Sequence, residues 1–116
     1  MANAQAWYLD NTMVVQLGSL IAQGDATDEP LTDELTGTVI TDATVTAQLE
    51  DEGGTQVTGE TWPITLAHVT GGIYRGAAAY GVAVQEGARY VVEIVATKSG
   101  NRATWRMPVV ARERDE

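Results

Sequence analysis

A chain of 116 residues without cysteine has neither disulfides nor thiolate metal sites available to it. His68 is the single histidine. A lone imidazole serves as a general base or a metal ligand only where a nucleophile or a second ligand joins it, and neither is recognisable nearby. His68 is therefore expected in a structural or surface role. Residues 24–37, GDATDEPLTDELTG, bring together Asp25, Asp28, Glu29, Asp33 and Glu34, and a hard cation such as calcium wants several oxygens of this kind. The fixed ligand alternation of an EF-hand loop is missing, so the expectation is a solvated acidic loop that binds no calcium. Glu50, Asp51 and Glu52 run into Gly53-Gly54, the composition of an exposed hairpin tip. There is no phosphate loop, nucleophile elbow or histidine pair at a metal spacing. Acid–base work needs two groups whose environments push their pKa values apart, and no two acids stand at apolar positions facing a cleft. The sequence assigns no catalytic residue, no cofactor and no metal, and the chain is expected not to be an enzyme.

The charge balance narrows the partners. Sixteen acidic residues face 7 basic ones, a formal net charge of −9. Nucleic-acid affinity rests on Lys and Arg neutralising phosphates, so no nucleic-acid partner is expected; the charge serves solubility or attraction to a basic partner. The first residues, MANAQAWYLDNTM, carry neither a basic start nor an apolar run of signal-peptide length. Nowhere do about 18 apolar residues run together. The expectation is synthesis in the cytosol and no membrane partner.

The elements that would hold any site read as strands. Residues 71–96, GGIYRGAAAYGVAVQEGARYVVEIVA, contain a short strand at 73–79 and a long β-branched one at 89–98. In the second, Tyr90, Val92, Ile94 and Ala96 share one face and Val91, Glu93, Val95 and Thr97 the other, the period of two of a strand. Gly87 and Ala88 lead into Tyr90, as a glycine turn leads into the corner tyrosine of an immunoglobulin-like sandwich. Residues 43–49 alternate most cleanly, with Ala43, Val45, Ala47 and Leu49 inward; 55–58 is expected to return antiparallel. A strand at 62–69 places Ile64 and Leu66 inward, with Pro63 near its start, where a sheet tolerates a missing donor. The turn Ser99-Gly100-Asn101 joins the long strand to a closing one at 102–110, where Pro108 marks an edge. Near the start, Met13, Val15 and Leu17 alternate until Gly18 interrupts.

These segments make about seven short strands separated by turn signals, the pattern of an antiparallel sandwich or barrel. The expected fold is all-β: a single immunoglobulin-like antiparallel β-sandwich spanning 1–116, with an N-terminal arm at 1–10 and a charged tail at 111–116. The expected core includes Val45, Ala47, Leu49, Ile64, Leu66, Tyr90, Val92 and Ile94. Trp7 and Tyr8 stand in the arm. Two adjacent aromatics are an odd choice for a solvated tail, so they are expected either to anchor a partner or to fold back over the open end of the sandwich.

Asp42 to Val45, Trp62-Pro63, Gly72 to Gly76 and Gly87 to Tyr90 together resemble a group of short immunoglobulin-like proteins from the structural-gene regions of tailed bacteriophages. The resemblance covers roughly residues 36–112. It implies a non-enzymatic virion protein: a capsid decoration or cement protein, or a neck component between head and tail, contacting other virion proteins in many copies and assembled in the host cytoplasm. It implies no catalytic residues. The alternative is a carbohydrate- or cell-surface-binding β-sandwich module, for which tryptophans exposed at a loop end would speak.

Overall fold

The computed structural model describes residues 5–9, 11–18, 25–26 and 39–113. Their strands are β1 (Gln5–Tyr8), β2 (Met13–Leu17), β3 (Asp25–Ala26), β4 (Thr44–Asp51), β5 (Ile64–Thr70), β6 (Ile73–Ala78), β7 (Arg89–Lys98) and β8 (Asn101–Arg112). The all-β class is as expected, and among the described residues there is no helix. The arrangement differs from a plain antiparallel sandwich. All eight strands join in one ladder, in the order β1-β8-β7-β4-β5-β6-β2-β3. The end strands β1 and β3 come into contact, so the ladder nearly closes into a barrel. Two pairings are parallel, β1 with β8 and β2 with β3.

The frame of the molecule is the β7–β8 hairpin. Its register is unbroken from Arg89↔Val110 to Lys98↔Asn101, the longest pairing among the described strands. The loop is two residues long, Ser99 and Gly100, with φ of 51° and 81°. Positive φ at both positions is the type I′ turn whose twist matches the flanking strands. β4 pairs with the other side of β7 from Thr44↔Thr97 to Asp51↔Tyr90.

β5 turns the corner between the two halves of the ladder. Its first residues pair with β4, through Ala47↔Ile64 and Val45↔Leu66, and its later ones with β6, through Ala67↔Arg75 and His68↔Tyr74. The change of partner falls beside Gly76. A Cβ there would lie 2.7 Å from both Leu66 Cδ2 and the Thr65 carbonyl oxygen, so only glycine lets β5 cross this closely. Gly76→Ala forces the backbone of one strand to shift. It should cost about 1 to 3 kcal/mol, the usual range for overpacking, read as a lowered urea midpoint with an unchanged m-value.

Alternation fills the interior. Val45, Ala47, Leu49, Leu66, Tyr90, Val92 and Ile94 are buried, as expected, and Ile64 is half-buried against them. Met13, Val15 and Leu17 of β2, Tyr74 and Ala78 of β6, and Val109 and Ala111 of β8 also belong to the core, with Trp7, Val57, Val82, Ala96 and Met107. Each large aliphatic side chain removed from water contributes roughly 1.5 to 3 kcal/mol.

Several boundaries move. Residues 5–8 are a strand, not a loose arm, and β8 continues to Arg112, with Ala111 fully buried. The returning strand expected at 55–58 shrinks to one bridge, Glu50↔Gln56. Pro108 lies inside β8 without ending it, opposite Val91.

Candidate functional site

The described residues bring ionised groups together on the outer face of β4, β7 and β8. Period two sets Gln48 opposite Glu93 and Glu93 opposite Arg106, with Glu50 two residues on from Gln48 on the same face. Gln48 Nε2 donates to Glu50 Oε2 (2.5 Å) and to Glu93 Oε1 (3.2 Å). Its Oε1 accepts from Gln56 Nε2 at 2.7 Å. Arg106 closes the cluster, Nη1 donating to Glu93 Oε2 at 2.6 Å and Nη2 to Glu50 Oε1 at 3.3 Å. Glu50 is 8% exposed, a burial that a carboxylate tolerates when it is paired and hydrogen-bonded.

This arrangement holds two carboxylates within reach of a single amide and neutralises them with one guanidinium fork. Its first effect is to fix the relative positions of three strands. Arg106→Ala would leave both carboxylates without their cation. The expected loss is about 1 to 2 kcal/mol, between an exposed ion pair and a fully buried one. Because the remaining repulsion between like charges is screened, the deficit should shrink in 1 M salt, which denaturation at two ionic strengths would read.

A shallow, open, polar depression lies at the tip of the hairpin, lined by Asp42, Thr44, Thr97, Lys98, Ser99 and Gly100. An ion pair between Lys98 Nζ and Asp42 Oδ1 crosses it. The hydrogen bond from Lys98, helped by its charge, holds the Asp42 carboxyl below the ordinary aspartate value. A depressed folded-state pKa contributes stability that is present above the unfolded value and is lost as pH falls through the folded one. An NMR titration should find Asp42 ionising below the usual range, and Lys98→Met should return it there.

The residues singled out from sequence take separate places. Trp7 is 1% exposed and belongs to the core, whereas Tyr8 beside it is half-buried. A ring so enclosed leaves no surface for a partner, so in this fold any contact by the pair would fall to Tyr8. The cause is β1, which lies parallel along Val109 to Arg112 and carries the indole inward. His68 is exposed on β5, edge-on to Tyr74 with ring centroids 5.3 Å apart. Its Nε2 accepts the Gly72 N–H at 3.3 Å, bracing the β5–β6 turn. Asp28, Glu29, Asp33 and Glu34 lie outside the described residues, and Asp25 is described only as a backbone position in β3. Among the described residues, no group of three or more His, Asp or Glu is placed to hold a metal ion.

The Glu50–Glu93–Arg106 cluster was not legible as a unit. Glu50 reads as part of an acidic turn, and its partner Arg106 is 56 positions away. The available signal was parity, which puts Gln48, Glu93 and Arg106 on outward faces of adjacent strands. Comparison of the chain with protein-family models, with curated proteins and with solved structures gives no match.

Proposed function

We propose that this chain is a non-enzymatic structural protein that works through protein–protein contacts. Its proposed setting is the virion of a tailed bacteriophage, as a head decoration or cement protein or a neck component present in many copies and assembled in the host cytoplasm. The observation that carries the reading is the corner at Tyr90. Its hydroxyl accepts the N–H of Gln85, five residues upstream, at 2.9 Å, the type of bond that a tyrosine corner makes in immunoglobulin-like sandwiches. The finer fold proposed is accordingly such a sandwich, with β1-β8-β7-β4 as one layer, β6-β2-β3 as the other, and β5 passing between them. The resemblance at Asp42 to Val45, Trp62-Pro63, Gly72 to Gly76 and Gly87 to Tyr90 adds the phage setting.

The three tryptophans favour protein contact over sugar stacking. Trp7 is buried, and Trp62 and Trp105 are half-buried, the Trp62 Nε1 donating to the Val57 carbonyl at 2.5 Å. Imaging intact particles from the source of the sequence, with mass spectrometry of their proteins, tests the proposal. A bound 12.4 kDa component in multiple copies is the expected result. Particles that lack the chain would overturn it, and binding of the purified chain to a glycan array would point to the cell-surface module instead.

A further inference from the structure

The main chain of β8 presents its two sides differently. A two-residue hairpin loop closes on a hydrogen-bonded pair, here Lys98 and Asn101, so the odd-numbered residues of β8 bond to the β7 side. The bonds at the far end agree: Ala111 N–H donates to the Ala88 carbonyl (3.0 Å), and the Ala111 carbonyl accepts from Gly87 N–H (2.8 Å). Even-numbered residues point the other way, as the Arg112 carbonyl does in accepting Leu9 N–H at 2.8 Å. β1 covers only Val109 to Arg112 of that outer edge. The outward N–H and C=O groups of Arg102, Thr104 and Arg106 therefore have no strand beside them among the described residues, and all three residues are exposed. Pro108, the next outward position, offers no N–H and bounds the window.

An unpaired edge is a template for another strand, and the side chains around it select the guest. Arg106 is engaged by Glu50 and Glu93, which leaves Arg102 as the cation without an ion pair on this edge among the described residues. On the opposite face of β8 stand Ala103 and the half-buried Trp105. A second copy fits poorly. Antiparallel pairing about Thr104 would set Arg102 against Arg106 of the copy on both sides, and like charges directly opposite destabilise a ladder. Two chains of net charge −9 also repel.

We propose that the edge of β8 from Arg102 to Arg106 binds an extended segment of a partner protein by strand addition, with a carboxylate opposite Arg102 and an apolar side chain over Trp105. This deepens the reading of the chain as a contact protein and rests on it. In antiparallel addition, the better of the two pairings per residue, the guest's carboxylate follows its apolar residue by three positions.

The probe is a displayed library of random dodecapeptides, selected on the purified full chain. Thr104→Pro removes one outward N–H and no bond to β7, and Arg102→Glu reverses the selecting charge at an exposed position. Circular dichroism checks the fold of each, and the second variant keeps the test open should the proline distort β8. Expected are peptides with an acid three residues after an apolar residue. They should bind Thr104→Pro about ten-fold or more weaker, a loss of ~1.4 kcal/mol, and selection on Arg102→Glu should replace the acid with Lys or Arg. No enrichment, or equal binding to wild type and both variants, overturns the proposal. So does a wild-type dimer in sedimentation that Thr104→Pro dissolves, because the occupant would then be a second copy. Particle imaging tests the broader reading independently, so either one can fail alone.

Discussion

Trp7→Ala is expected to destabilise the isolated chain by about 3 to 5 kcal/mol, the cost of truncating a large aromatic in a core. Three observations support so large an effect at a position only seven residues from the start. The side chain is 1% exposed. β1 keeps a four-residue parallel register with β8, from Gln5↔Val109 to Tyr8↔Arg112, and Leu9 N–H adds a bond to the Arg112 carbonyl. β1 also covers Val109 and Ala111, both fully buried, so deleting residues 1–8 should cost more than the point substitution. Urea unfolding of both variants measures this. A loss under about 1 kcal/mol, the scale of a surface change, would return Trp7 to the surface. Tyr8→Ala is the cleaner probe of partner contact, because its half-exposed ring allows a loss of particle incorporation without a loss of folding.

How much of this was legible follows from where the information sits. β4, β7 and β8 could be read because they are long, alternate strictly and meet at a turn whose residues demand its geometry. The strand at 5–8 could not. Four residues, QAWY, are too few to display a period, and the pairing that defines them joins the two ends of the described chain. The parallel pairing of β2 with β3 is hidden for the same reason, since β3 has two residues. Glu-Asp-Glu-Gly-Gly has turn composition, yet β4 carries Asp51 opposite Tyr90 before the chain bends. Burial of the Glu50 carboxylate needed Arg106, and local pattern does not encode a contact across 56 positions. Pro108 marks an open edge, where a missing donor belongs, but the strand continues past it because that donor would never have faced β7.

Tyr90 carries the other large effect, and two substitutions separate its two parts. The ring is 7% exposed within the core, so Tyr90→Ala should cost about 3 to 5 kcal/mol. Tyr90→Phe keeps the ring and removes only the acceptor of the part-buried Gln85 N–H. Its expected cost is about 1 kcal/mol, up to about 3 if no water replaces the hydroxyl. The loop held by that bond also supplies Ala88 and Gly87, whose main chains bond to Ala111, next to β1. Loss of the hydroxyl should therefore speed amide exchange at Gln85, Gly87 and Ala111 while leaving Val45 and Ile94 near the global value, the behaviour of a local opening. Equal exchange at Gly87 and Ala111 in wild type and Tyr90→Phe would mean that the bond braces nothing beyond itself. A Tyr90→Ala loss under about 1 kcal/mol would contradict the core placement of the ring.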